Sequence, residues 1–223
     1  MKISFCLSLV LFTFALTACL VADKEEETKE EIPGFSRVDG LFVQEIDEEG
    51  NTLTVFKTNN KQYWSHEGMT LWTVWGQAED DFKERTVEIA KAYGYSGAGC
   101  GIVFSQGEYE IDEKIASVML VAMINNEGKY ILGKAYGGIF VDFGWWKMTP
   151  YLNKGTGVFN EIKISYDESE REYSFFINGY EIERFKDEEE PALHKGRNGY
   201  IVVTTPYDNF PSSAVDVLFK EKM

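Results

Sequence analysis

The sequence predicts an all-β fold, a two-layer sandwich or a barrel of antiparallel strands. Three observations predict it. Apolar residues alternate with period two in roughly a dozen short segments, those segments are evenly spaced between turn-forming residues, and no stretch carries a convincing amphipathic-helix pattern. The clearest case is Gly157–Phe185 (GVFNEIKISYDESEREYSFFINGYEIERF). Ile162, Ile164 and Tyr166 fall on one face of a strand, and Tyr173, Phe175 and Ile177 on one face of the next. Asn178-Gly179 then supplies the two left-handed residues of a type I′ hairpin turn. Across that turn Ile177 is expected to face Tyr180 and Phe175 to face Ile182, while Phe176 and Phe185 take the opposite face. A sheet apolar on one side and partly aromatic on the other fits a sandwich, or a curved sheet with a groove.

The remaining elements follow in order. Leu41–Ile46 and Thr52–Lys57 flank the turn Asp47–Asn51 and read as a hairpin. Thr70–Gly76 carries Trp72 and Trp75. Thr86–Ala92 has helix-compatible residues, but Val87 and Ile89 alternate with Glu88 and Lys91, which argues for a strand. Tyr93–Gly99 is a glycine-rich turn into the strand Cys100–Phe104. Ala116–Ile124 (ASVMLVAMI) is apolar throughout, as a strand covered on both faces should be. Asn125–Gly128 turns it into Lys129–Tyr136, followed by Ile139–Phe143, Gly199–Thr205 and Ala214–Phe219.

Twenty glycines, twelve tyrosines and sixteen phenylalanines in 223 residues suit β-structure and one core of ordinary size. The formal charge of −15, from 37 acidic and 22 basic residues, argues against a nucleic-acid partner, because phosphate binding needs a basic face. It equally disfavours attraction to anionic headgroups. Of three cysteines, only Cys100 lies in the body, so no disulfide forms within it. Its apolar neighbours Ile102 and Val103 predict a buried, inert thiol.

The N-terminus supplies an address. Met1–Ala18 has one basic residue, Lys2, and an apolar run, Ile3–Leu16, too short to span a membrane, which is the build of a secretory signal. Leu16-Thr17-Ala18-Cys19 resembles the bacterial lipobox. The resemblance implies lipidation of Cys19, cleavage before it, and anchoring to the cell envelope on the extracytoplasmic side through several acyl chains. Leu20 at the second mature position resembles the outer-membrane sorting pattern of diderm bacteria. Cys19–Gly34 contains Asp23–Glu31, with six acidic and two basic residues and no apolar one, and reads as a solvated tether. The folded domain is expected over Phe35–Met223.

The order of motifs in that domain (GCGIVF, the apolar strand with its Asn-Asn-Glu-Gly turn, YILGKAYGG, NEIKI, YSFFING and GRNGYIVV) resembles the concanavalin A-like lectin/glucanase jelly roll, in its laminin-G-like or family-16-like branch. The resemblance covers roughly Thr70–Lys220 and implies a two-sheet antiparallel jelly-roll sandwich. Such folds host lectins, glycosidases and adhesion modules alike.

Retaining glucanases of this fold use a Glu-x-Asp-x-Glu strand whose outer carboxylates stand about 5 Å apart. Glu45, Asp47 and Glu49 have that spacing but lie at a hairpin turn, and Glu110 and Asp112 lack the third carboxylate, since Lys114 stands in its place. Both stretches are more simply solvated acidic turns, so the sequence favours binding without catalysis. Asp47–Asn51 also offers oxygen ligands for Ca²⁺, although a plain turn accounts for it. His66 and His194 have no ligand-spaced partners for zinc. The aromatic residues are the better lead, because sugar rings stack on exposed aromatic faces. If their segment is extended, Trp145 and Trp146 point to opposite faces, one to the core and one to a groove. Trp72 and Trp75 split in the same way, and Tyr136 and Phe176 are candidates to share a concave face with one of each pair. The alternative is that these rings plug the core. The expected partner is a glycan or a surface protein.

Overall fold

A computed structural model describes residues 34–64, 68–111, 113–137, 139–205 and 214–222. The signal and tether expectations and Cys19 lie outside them, as do His66 and Asp112. Fifteen strands are found among the described residues and no α-helix. They are β1 (Phe35–Arg37), β2 (Phe42–Ile46), β3 (Thr52–Thr58), β4 (Thr70–Trp75), β5 (Glu84–Tyr93), β6 (Cys100–Ile111), β7 (Lys114–Ile124), β8 (Lys129–Tyr136), β9 (Ile139–Asp142), β10 (Lys147–Met148), β11 (Asn160–Asp167), β12 (Glu172–Ile177), β13 (Tyr180–Phe185), β14 (Arg197–Val203) and β15 (Val215–Lys222).

The strands form two sheets. One has eight strands in the order β1-β4-β14-β6-β7-β8-β10, with β9 also paired to β8. The other has seven, ordered β13-β12-β11-β5-β15-β3-β2. All pairs but one are antiparallel; the short β1 runs parallel to β4.

Period two explains the core. Val87 and Ile89 on β5, Ile162 and Ile164 on β11, and Phe175 and Ile177 on β12 meet Ile102, Phe104, Leu120 and Leu132 of the facing sheet in one buried cluster. Full burial of each such side chain contributes about 1.5–3 kcal/mol. The run read as covered on both faces divides by parity. Val118, Leu120 and Ala122 enter this inter-sheet core. Met119, Val121 and Met123 join a second cluster with Trp72, Val103, Ile131 and Ile201 on the outer face of the eight-stranded sheet. Cys100 is buried in the inter-sheet core, and its burial pushes the thiol up.

Two irregularities depart from the expected pattern. Asn178 and Gly179 adopt left-handed φ of 50° and 83°, and Ile177 does face Tyr180. A bulge between Phe175 and Phe176 then sets Phe175 opposite Glu183, not Ile182. The extra residue carries Phe185 to the core face, where it stacks on Tyr173 with centroids 5.2 Å apart. In β6 the strand does not stop at Phe104. A bulge at Ser105 (φ 53°) and Gln106 absorbs the break, and pairing with β7 resumes at Gly107↔Val118.

A buried ion pair closes the inter-sheet space. Lys134 on β8 points inward with no exposed side-chain surface, and its Nζ donates to both carboxylate oxygens of Asp187 at 3.0 and 2.8 Å. The carbonyls of Glu189 and Pro191 take further bonds from the same ammonium. Asp187 in turn accepts the Leu193 N–H at 2.7 Å, so the segment after β13 is pinned to β8.

Candidate functional site

The outer face of the eight-stranded sheet carries a groove of roughly 390 Å³. Its floor comes from outward positions of the central strands, Met123 on β7, Ile131 and Ala135 on β8, and Ile201 and Val203 on β14. Four aromatic residues line it as well, Phe35, Tyr95, Phe140 and Trp146.

Glycines set how closely the rings approach the sheet. A Cβ on Gly99 would lie 3.0 Å from Cη2 of Trp146 and 3.1 Å from Sδ of Met123. A Cβ on Gly133 would lie 2.5 Å from Cζ of Phe140 and 2.6 Å from the Val141 carbonyl oxygen. Both rings therefore lie down where the sheet has no side chain. Polar capacity is sparse and uncharged. Thr70, Thr205 and the Tyr95 phenol line the groove, and Asp, Glu, His, Lys and Arg are absent from its described lining. Mostly apolar walls with a few hydroxyls are the usual composition of a small-ligand site.

The residues singled out from the sequence go to different places. Trp146 is in the groove and packs against the outer cluster. Trp145 is 79% exposed and outside it. Strand β9 ends at Asp142, and the backbone turns before it reaches the two indoles. Asp142 accepts the Gly144 and Trp145 N–H groups at 3.0 and 2.6 Å, and Trp145 takes a φ of 57°. A turn, not strand alternation, separates the two indoles. Trp72 and Trp75 do split by parity. Trp72 is buried in the outer cluster against Phe35, at a centroid distance of 5.7 Å, whereas Trp75 faces the other side of the sheet beside Tyr200.

Tyr136 shares the inward face of the eight-stranded sheet with Trp75, but Phe176 shares no face with either tryptophan pair. Tyr136 packs against the inter-sheet core, and Phe176 lies under the Lys163 ammonium (5.5 Å) on the outer face of the seven-stranded sheet. Phe35, Tyr95 and Phe140 escaped the sequence reading because they sit on short edge strands or in a turn, where periodicity is too brief to assign a face. The run Gly97-Ala98-Gly99-Cys100-Gly101 was the available signal, since alternate glycines leave one face of a strand bare.

The acidic stretches are placed elsewhere. Asp47 sits in the β2–β3 turn, where its carboxylate accepts the amides of Glu49 (3.0 Å) and Asn51 (2.7 Å) and the Asn51 side-chain amide (2.9 Å). Those bonds, the Asn51 side chain's first, hold it below the usual carboxylate range. Its oxygens are thus committed to the turn, and among the described residues no group of three or more His, Cys, Asp or Glu side chains is placed to hold a metal. Glu110 is exposed on β6. A hollow of roughly 680 Å³ between Asp81 and Glu172 is lined by charged groups. Its groups pair with one another, as Lys195 does with Asp81 at 3.0 Å and Arg184 with Glu172 at 3.7 Å.

No protein-family model matches the chain, and no curated protein matches it. Solved structures do. The chain is similar to the carbohydrate-binding module CBM66 from Bacillus subtilis, with 11% identity over 80% of this chain and 88% of that one and a TM-score of 0.53. It is also similar to a structure from work on the endo-acting O-glycanases with which prominent members of the human gut microbiota initiate mucin breakdown. There the identity is 10% over 82% of this chain and 83% of that one, with a TM-score of 0.51. At such identities the likeness establishes the fold, a concanavalin A-like jelly-roll sandwich shared by binding modules and glycoside hydrolases.

Proposed function

We propose that this chain is a lipid-anchored, extracytoplasmic binding module that recognises a neutral glycan in the outer groove of the eight-stranded sheet, without cleaving it. One observation carries the reading: a groove with four aromatic residues in its lining and no carboxylate or histidine among its described lining. Glycosidic cleavage by the common route needs two carboxyl groups flanking the bond, whereas binding needs an aromatic face and a few hydroxyl partners. The lack of Lys and Arg in the same lining, together with the net charge of −15, favours neutral over sulfated or uronic sugars. The lipobox-like Leu16–Cys19 supports the anchor and the cell-envelope address.

A glycan array spanning neutral and acidic structures, followed by chromatography of any bound oligosaccharide, tests the binding half. Retention of an intact neutral glycan is expected, and release of shorter products would overturn the non-catalytic assignment. The anchor is tested by metabolic labelling with an alkyne fatty acid. Label should enter the wild type and be absent from Cys19→Ser, and equal labelling of both would refute it.

A further inference from the structure

Trp75 ends β4 on the face opposite Trp72, and there the two sheets part into a cleft of roughly 650 Å³ that the glycan reading above does not use. An aromatic residue on an inward face is normally covered, yet Trp75 is 43% exposed. It is nonetheless fixed. The Arg85 guanidinium sits 4.8 Å from its ring, and the Tyr200 ring 4.9 Å away at 56°. Arg85 is itself buried and fully engaged. Its Nη1 donates to the carbonyls of Val103 (2.9 Å) and Gly199 (2.8 Å), and its Nε and Nη2 donate to Glu221.

The polar groups around this platform have capacity to spare. Glu221 receives Arg85 and the Tyr200 hydroxyl (2.7 Å) on Oε1, but among the described residues Oε2 takes only a long 3.4 Å contact from Arg85, and the side chain is 40% exposed. Burial pushes the Tyr200 phenol up, so it stays a donor to that carboxylate. The exposed amide of Gln44 lines the same cleft with no partner among the described residues. These groups select among ligand classes. A cation finds the indole already covered on one side by Arg85 and the carboxylate already neutralised. An anion finds no free cation in the described lining, since Lys220 pairs with Asp47 at 4.0 Å, and a plain aromatic ligand leaves the free acceptors unused.

We infer that this cleft is a second ligand site, which takes a neutral sugar ring stacked on Trp75. The ring's hydroxyls donate to Oε2 of Glu221 and exchange hydrogen bonds with Gln44. It uses different residues and the opposite face of the sheet from the outer groove, so the two readings stand or fall separately.

The test is ¹⁹F NMR of the full-length protein labelled with 5-fluorotryptophan, whose five resonances are assigned by single Trp→Phe variants. The probes are methyl glycosides of glucose, galactose, mannose, xylose and N-acetylglucosamine. The Trp75 resonance should shift saturably with at least one of them, in the wild type and equally in Trp146→Ala. Gln44→Ala should weaken that response about fivefold, as loss of one hydrogen bond does. A Trp75 resonance unmoved by all five sugars, a shift that vanishes in Trp146→Ala, or an affinity unchanged by Gln44→Ala would each overturn the inference. The Trp146 resonance reports on the outer groove in the same titration, so failure there is seen independently.

Discussion

Replacing Asp187 with alanine should be among the most damaging single changes in the domain. Lys134 has no exposed side-chain surface and Asp187 only 3%. The substitution strands an ammonium in the inter-sheet space with, among the described residues, only the carbonyls of Glu189 and Pro191 as partners, and it removes the acceptor of the Leu193 N–H. Breaking a buried pair from one side costs about 3–5 kcal/mol, most of it from the uncompensated charge. With a urea m-value of about 2 kcal/mol/M, the midpoint should fall by about 1.5–2.5 M. Lys134→Met/Asp187→Leu, which removes both charges, should recover most of that loss. A fall below about 0.5 M for Asp187→Ala, the size expected of an exposed pair, would refute the reasoning.

Two further outcomes follow from the same structure. Asp216 has one carboxylate oxygen buried without a partner among the described residues, and the other 3.6 Å from the largely exposed Lys57. Burial raises its pKa above the usual carboxylate value. Between the ordinary and the raised pKa the folded state holds a proton that the unfolded chain has released, so stability declines as pH rises through that window. Asp216→Asn should therefore raise the urea midpoint at pH 7, and the gain should shrink as pH falls towards about 4, while a gain independent of pH would contradict this. Gly133→Ala should cost more stability than Gly99→Ala, about 1–3 kcal/mol, because its Cβ meets a backbone carbonyl while that of Gly99 meets only the ends of Trp146 and Met123. Equal midpoints for the two variants would contradict the close packing of Phe140 on the sheet.

Much of the fold was legible because its signals are local. Asn178-Gly179 fixes a hairpin within two residues, and Ala116–Ile124 reports a strand covered on both faces without reference to any partner. Trp72 and Trp75 could be assigned to opposite faces because their strand is regular between them. Bulges broke this arithmetic. One extra residue on β13, Ile182, carried Phe185 into the core, and the bulge at Ser105 let β6 run on to Ile111. For Trp145 and Trp146 the expected separation occurs, but through a turn held by Asp142. Lys134 carried no local sign of burial, since its partner Asp187 lies 53 residues along the chain. The candidate groove was half legible: Trp146 was named, whereas Phe35, Tyr95 and Phe140 meet it only through tertiary structure.

The measurement that bears most directly on the central claim is calorimetric titration of a neutral glycan retained on the array into the wild type, Trp146→Ala and Trp145→Ala. A tryptophan that forms a wall of the site is worth about 2 kcal/mol or more, so Trp146→Ala should weaken binding by roughly 30-fold. Trp145→Ala, which removes an exposed ring outside the groove, should leave affinity within about twofold of wild type. Binding that survives Trp146→Ala unchanged, or that depends on Trp145 instead, would contradict the assignment of the outer groove as the glycan site.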